Sequence, residues 1–299
     1  MKKALVIGGS GFMGSHIADA LIADGYDTTV FDVIESPYLS SGQKFIKGDI
    51  LDPSSVDAAI KGMDVVFHLA GQPDIGKSVQ DPTFTLNLNI QGTVNILEAC
   101  RKHQIKRFMF ASTVYVYSDV GAFYRASKQS CEIIIQEYHK QFGLDYTILR
   151  YGSLYGPRAP ESNFIRRILK QALVDKKVDV GDYSLEDRRE YIHVADAAKV
   201  SLLALADEYV NASVMLTGYQ FTTCRELFDL INDILGGGIT FTGKDLENKG
   251  GPGRYHKTPY VFRPQISKKI IASDYIEFGQ GILASIEEIH TSTQPLQDE

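Results

Sequence analysis

Tyr124 and Lys128 stand four apart in the stretch YRASK, and Thr113 closes the apolar run RFMFAS that precedes them. Residues four apart share one face of a helix, so the ammonium can sit close to the phenol. A phenol with a pKa of about 10 is a poor base at neutral pH. A nearby cation favours its ionised form, and each unit of lowering needs ~1.4 kcal/mol of differential stabilisation. A phenol tuned in this way takes the proton of a substrate hydroxyl and, in reverse, gives one to a ketone. Thr113 would hydrogen-bond the same substrate oxygen. Taken alone, Tyr and Lys at this spacing are equally a surface helix pair.

Strand and helix signals alternate at short spacing up to about residue 150. Ala4–Ile7, Asp27–Phe31, Lys44–Ile46, Val65–Leu69, Arg107–Ser112 and Tyr146–Arg150 read as strands. A helix from Pro53 to near Gly62, a long one after Pro82 with Leu86, Ile90, Val94 and Leu97 on one face, and Tyr124–Phe142 lie between them. This order predicts right-handed crossovers and an α/β, doubly wound parallel sheet, whose ligands sit at the carboxyl ends of the strands. Thr113, Tyr124 and Lys128 all fall at such ends.

The first strand runs into four glycines within seven positions, GGSGFMG, and then into helical spacing (Ile17, Leu21, Ile22). A strand that breaks into a glycine turn and a helix aims backbone N–H groups and a positive helix end at one spot, which suits a pyrophosphate. Gly8 allows the turn, Gly11 lets the backbone approach the ligand, and Gly14 lets helix and strand pack tightly. The second strand ends at Asp32, whose carboxylate can accept both ribose hydroxyls of NAD. A 2′-phosphate would be repelled, and no Arg or Lys stands within five residues after Asp32. NAD is therefore expected over NADP. Its nicotinamide cation would favour the Tyr124 phenolate further.

At 299 residues, 44% hydrophobic and 23% charged, the chain has the composition of an ordinary globular protein with a sizeable core. A net charge of −6 without Lys/Arg runs argues against nucleic-acid binding. The apolar run after MKK stops after four residues, too short for a signal peptide, and no stretch approaches the ~20 apolar residues of a membrane span. Cys100, Cys131 and Cys224 are odd in number and widely spaced, so neither a disulfide framework nor a zinc site is expected, and a reducing cytoplasm is the simplest setting. No metal is expected, and His193 reads as structural.

The chain resembles the extended short-chain dehydrogenase/reductases, in particular the NAD-dependent nucleotide-sugar epimerase/dehydratase group. The resemblance runs through GGSGFMG, GDILD (Gly48–Asp52), HLAGQ (His68–Gln72), SVQDP (Ser78–Pro82), NIQGTVNILEA (Asn89–Ala99), FASTVYVY (Phe110–Tyr117), YRASK, LRYGSLYGPR (Leu149–Arg158) and RREYIHVADAA (Arg188–Ala198). It implies a Rossmann domain over residues 1–152 and a smaller, mainly substrate-binding α/β domain over 153–299, with part of 189–218 packing back on the first. It implies cofactor contacts from Gly8, Gly11, Phe12, Met13 and Gly14, from Asp32, and from Asp49 and Ile50 at the adenine. Leu69, Ala70 and Gly71 would line the middle of the cofactor, Asn89 would support the site, and Tyr151 would approach the nicotinamide beside Tyr124 and Lys128. It also implies a nucleotide-diphospho-sugar substrate, with Arg189 at the diphosphate, a role that a planar guanidinium suits. The alternative for Arg189 is a surface ion pair with Glu186 or Glu190.

The departures narrow the chemistry. Dehydratases of this group carry Asp-Glu directly after the catalytic Thr, where this chain has Val114 and Tyr115, so dehydration is disfavoured. Ser153 stands where the group usually has an Asn that touches the diphosphate. Only six residues separate Tyr117 from Tyr124, a segment usually much longer in the group. In the second half, Ser162–Lys176, Ala195–Ala206 and Thr223–Leu235 read as helices, the last stopped by Gly236–Gly238. The segment Gly250–Pro264 either closes over a nucleotide, with Arg254 and Arg263 as anion contacts, or is a packed arm.

The resulting expectation is an NAD-dependent nucleotide-sugar epimerase working through a transient keto-sugar. The alternatives are a keto-sugar reductase with net hydride transfer and a non-catalytic NAD-sensing protein. The Tyr124–Phe142 helix carries Cys131, Ile134, Tyr138 and Phe142 on one side and Ile133 and Ile135 on others. A helix apolar around much of its girth needs two partners. A homodimer through a four-helix contact with the Leu86–Leu97 helix is therefore expected.

Overall fold

The computed structural model describes residues 1–243, 268–270 and 274–293. In chain order the elements of the first half are β1 (Lys3–Ile7), α1 (Phe12–Ala23), β2 (Asp27–Asp32), β3 (Lys44–Lys47), α2 (Pro53–Ile60), β4 (Val65–His68), α3 (Ile75–Gln80), α4 (Pro82–Leu86), α5 (Gly92–Lys102), β5 (Arg107–Thr113), α6 (Ala122–Phe142) and β6 (Tyr146–Tyr151). The second half adds β7 (Ser153–Tyr155), α7 (Phe164–Asp175), β8 (Lys177–Asp179), β9 (Arg188–His193), α8 (Val194–Leu203), β10 (Ala212–Leu216), β11 (Phe221–Thr223), α9 (Cys224–Ile234), β12 (Thr240–Thr242), β13 (Lys268–Lys269) and α10 (Phe278–Thr293). Local chemistry sets many of these ends. Asp52 caps α2 by accepting from Ser54 N, with Pro53 in the first turn. Thr223 and Glu226 form a capping box on α9.

The chain divides into two compact units. The first takes Met1–Tyr151 and Ala197–Leu216 together with residues 268–270, and the second takes Gly152–Asp196 and most of what remains. The first unit is built on a parallel sheet in the order β13-β10-β6-β5-β4-β1-β2-β3 among the described residues. Leu5 and Ile7 of β1 are buried in one core with Ile60 of α2, Ile96 of α5 and Ile135 of α6. The alternate residues Ala4 and Val6 are equally buried, so both faces of the sheet are covered, as successive strand side chains require. β1 lies between β2 and β4, which places a topological switch point, and hence a ligand crevice, at its carboxyl end.

One expected face is corrected. The long helix after Pro82 is interrupted by a π-helical turn at Asn87–Gln91. Of the expected face, Leu97 is fully buried while Leu86, Ile90 and Val94 are half-buried; a second buried seam along α4 and α5 is Thr85, Asn89, Thr93, Ile96 and Cys100. The seam holds polar residues because each is hydrogen-bonded: Thr85 to the Asp81 carbonyl at 2.9 Å, Thr93 to the Asn89 carbonyl at 2.6 Å, and Asn89 to Ser127 Oγ at 2.8 Å.

In the second unit, β9 pairs with β7 in parallel and with β11 in antiparallel, and β8 pairs with β12. A separate core gathers Ile168 and Leu169 of α7, Leu227 and Ile231 of α9, and Ile282 and Ile286 of α10. Three positive-φ glycines, Gly236–Gly238, follow α9, in line with the expected stop. Among the described residues no helix is long and apolar enough to cross a membrane.

Candidate active site

The glycine turn after β1 is built to receive a group at its backbone. Gly8 has φ +82°, and a Cβ there would lie 2.5 Å from the Ala70 nitrogen. A Cβ on Gly14 would lie 2.1 Å from the Gly8 carbonyl oxygen, which only glycine permits. Helix α1 begins at Phe12, with Gly11 at its N-cap and no side chain closing the end. The amides of Phe12, Met13 and Gly14 thus precede the first helical acceptor bond, in which Ser15 N donates to Gly11 O. A pyrophosphate fits this opening on both shape and sign.

Asp32 ends β2 beside the turn. Its carboxylate accepts from Ser10 N at 3.0 Å and Val33 N at 2.8 Å, so it braces the glycine turn. Asp49, at the end of β3, is exposed and accepts from Leu51 N. Ile50 is buried in the core, and a Cβ on Gly92 would lie 2.5 Å from its Cδ1, so its side chain packs against α5. Leu69 and Ala70 both donate to the Ile7 carbonyl, folding the end of β4 over the turn. Gly71 has φ +149°, and a Cβ there would lie 2.7 Å from Asn89 Oδ1. Asn89 accepts from Gln72 N at 2.7 Å and donates to Ser127 Oγ, linking that loop to α6.

Lys128 on α6 is buried and donates to the Ala111 carbonyl at 2.8 Å, two residues before Thr113. Its Nζ lies 4.7 Å from the centre of the Phe110 ring, and a Cβ on Gly71 would come within 4.0 Å of it. Burial pulls the ammonium below its ordinary pKa, against the opposing pull of Cys131 and Glu132. Thr113 is buried at the end of β5 and accepts from Tyr115 N at 3.2 Å, capping the short 3₁₀ turn Val114–Tyr117. With that acceptor site occupied, the hydroxyl proton is left to donate. Tyr124 is half-buried in the first turn of α6, which opens behind Gly121 at φ +104°. Its ring packs edge-on to Tyr115, with centroids 6.4 Å apart, and its amide donates to Ser78 Oγ. The ends of β4 and β5 and the start of α6 thus gather around the same carbonyl and glycine.

The Tyr151 hydroxyl is 2.7 Å from Ser201 Oγ on α8, and burial pushes its pKa up. Its strand register sets it beside Thr113.

Four residues that sequence reasoning did not single out belong to this neighbourhood. His68 is fully buried, 2.9 Å from Thr93 Oγ1. Burial, and then the nearby Lys128, pulls its pKa well below the ordinary value, which keeps it neutral. Ser112, Glu132 and Arg150 form a buried ion-pair network. The one available signal was a charged Arg in the otherwise apolar strand YTILRY.

The remaining sites lie in the second unit. Ser153 is half-buried on β7, and Arg189 is 4% exposed on β9, its guanidinium carbon 4.4 Å from the centre of the Tyr183 ring. Arg189 is therefore not at the surface, and Glu186 pairs with Arg225 at 3.0 Å. His193 accepts from Ala195 N at the start of α8 and packs against Tyr155. Arg254, Arg263 and the whole Gly250–Pro264 segment lie outside the described residues.

Comparison with known proteins gives a consistent result. The family model for the NAD dependent epimerase/dehydratase family matches residues 4–214. A protein of Methanocaldococcus jannaschii, provisionally named a UDP-glucose 4-epimerase, is 33% identical over 85% of this chain and 88% of its own length. A UDP-N-acetylglucosamine 4-epimerase from Methanobrevibacter ruminantium, solved with UDP-N-acetylmuramic acid, matches at 26% identity and a TM-score of 0.83, covering 98% of this chain and 99% of that one. The UDP-glucose 4-epimerase of Thermus thermophilus, solved with NAD, matches at 25% identity and a TM-score of 0.81, covering 97% and 100%. With its glycine turn, its acidic second strand and this match over most of its length, the chain belongs to the NAD dependent epimerase/dehydratase family and is an extended short-chain dehydrogenase/reductase that uses NAD.

Proposed function

We propose that this enzyme is a UDP-sugar 4-epimerase in which Thr113, Tyr124 and Lys128 carry the acid–base chemistry. The observation that carries the reading is Lys128. It is a buried ammonium one helical turn from Tyr124, held by a carbonyl of the strand that ends in Thr113. NAD, when bound, accepts and returns the hydride. The chain itself handles the proton. Tyr124, kept ionisable by Lys128, takes the proton of the sugar hydroxyl and later gives it back, while Thr113 donates to the same oxygen. Val114 and Tyr115 offer no carboxylates for water elimination, which argues against a dehydratase. Gly8, Gly11, Phe12, Met13, Gly14, Asp32, Asp49, Gly71 and Asn89 serve the cofactor in this reading, and Ser153, Arg189 and Arg254 the diphosphate of the substrate.

The test is an assay of the purified protein with UDP-sugar epimer pairs. Interconversion with at most catalytic NAD is expected, and Tyr124→Phe should lose on the order of 10²–10⁴ in rate, the usual worth of a positioned acid–base group. The same three residues would serve a keto-sugar reductase. Stoichiometric NADH consumption with a keto-sugar, and no epimer interconversion, would put that reading first. A homodimer is part of the proposal, since α6 leaves the apolar Ile133 60% exposed. A cytoplasmic setting suits the three buried free thiols Cys100, Cys131 and Cys224.

A further inference from the structure

The stripe that carries Tyr124 and Lys128 has a third charged member. Glu132 follows Lys128 by one more turn of α6 and is only 5% exposed. Its carboxylate accepts from Ser112 Oγ on β5 at 2.5 Å and from Arg150 Nε and Nη2 on β6 at 3.0 and 2.6 Å. The Arg150 guanidinium is buried, also donates to the Tyr117 hydroxyl, and lies 4.7 Å from the centre of the Tyr117 ring. Ser112 immediately precedes Thr113. One buried carboxylate therefore ties the helix bearing Tyr124 and Lys128 to the strand end bearing Thr113 and to its neighbour.

The charge balance is uneven. Two buried cations, Lys128 and Arg150, lie near one buried anion, Glu132, which is paired with Arg150. Besides the Tyr117 hydroxyl that Arg150 donates to, the other titratable groups around them are His68 from β4, Cys131 from α6 and Tyr146 from β6. Burial holds all three in their neutral forms near neutral pH.

We propose that Glu132, clamped by Arg150 and Ser112, is a positioning residue for Tyr124 and Lys128. It fixes the seating of α6 on the strand ends and offsets one of the two buried cations, and so sets how readily the Tyr124 phenol ionises. The inference rests on the reading of Tyr124 as the acid–base group. Its sign follows from electrostatics. Removing the anion makes the field at Tyr124 more positive and favours the phenolate, removing the Arg150 cation does the reverse, and removing both cancels. Tyr124 and Glu132 are eight residues apart along a helix, about 12 Å. A unit charge acting over that distance at an effective dielectric of about 20 moves an ionisation midpoint by about half to one pH unit.

The experiment titrates tyrosinate absorbance in the NAD-loaded protein, each trace taken as the difference from the same protein carrying Tyr124→Phe. Glu132→Gln should lower the Tyr124 midpoint by about half to one pH unit and Arg150→Met should raise it by a similar amount. The Glu132→Gln/Arg150→Met double variant should fall back to the wild-type value. A clamp that is merely structural would cost thermal stability and leave every midpoint in place, and that result overturns the proposal. So do shifts of the same sign in both single variants. If Glu132→Gln does not fold, because it strands a buried guanidinium, the upward shift of Arg150→Met and its cancellation in the double variant carry the test, and their absence overturns it. The titration needs no sugar. A protein that interconverts no UDP-sugar yet shows these shifts loses the proposed activity and keeps the clamp; one that interconverts without the shifts does the opposite.

Discussion

The Asp32 carboxylate braces Ser10 of the glycine turn, and in the proposed reading the same group accepts from the cofactor ribose. Asp32→Ala should therefore weaken NAD binding and narrow the preference for NAD over NADP, read by calorimetry with each cofactor. NADP binding as tight as NAD in the unaltered protein would count against the assignment. His68 gives a second expectation, in the pH dependence of stability. Unfolded, the imidazole takes a proton at its ordinary value; folded, it does so only at much lower pH. Below about pH 6.5 the unfolded state binds more protons, so stability falls as pH drops through that window, by up to about 1.4 kcal/mol per unit from this group. Urea unfolding between pH 7 and 5 should show that slope in the wild type and a flatter one in His68→Asn. Equal slopes would mean that His68 is protonated in the fold.

Among the elements, the β1–α1 turn tolerates least. Gly14→Ala would place a methyl carbon 2.1 Å from the Gly8 carbonyl oxygen, so α1 must move off β1. NAD affinity should drop by about tenfold or more, a loss of roughly 1.4 kcal/mol or greater, while far-ultraviolet circular dichroism stays near that of the wild type. Unchanged affinity would show that the turn does not seat the cofactor. This element was legible in the sequence because glycine leaves a trace wherever backbone crowds backbone. The α4–α5 seam was not. Apolar spacing pointed to Leu86, Ile90, Val94 and Leu97, of which Leu97 is buried, whereas along the rest of the seam the buried positions are the polar Thr85, Asn89 and Thr93, whose hydrogen bonds offset their burial. Hydrophobic periodicity cannot find a buried seam made of hydroxyls and an amide. Of the Ser112–Glu132–Arg150 network only the Arg left a sign in the sequence, since its members lie on three separate elements.

For the molecule as a whole, assembly is the open contact. The side expected to be apolar is split, with Cys131 buried, Ile134 and Tyr138 half-buried, and Phe142 exposed like Ile133. Ile134 and Tyr138 are taken up by the core of their own unit, and the Arg101 guanidinium lies over the Phe142 ring, which leaves Ile133 for a second copy across a two-fold axis. Light scattering at micromolar concentration should give a dimer, and Ile133→Glu should shift it to monomer; a wild-type monomer would dismiss the contact. The first unit has one further property. Its sheet is discontinuous in sequence: β10 adds to the edge of β6 some sixty residues later, and β13 covers β10 only at Lys268–Lys269. A ribosome making this chain has therefore emitted the glycine turn, Thr113, Tyr124 and Lys128 long before the strands that close their sheet exist. Until then the apolar strand Tyr146–Tyr151 waits with an unpaired edge, the arrangement most prone to pairing with a neighbouring chain. Maturation of the cofactor-binding half is thus a late event in synthesis, and a nascent chain halted before residue 212 would carry every candidate catalytic group on an unfinished sheet.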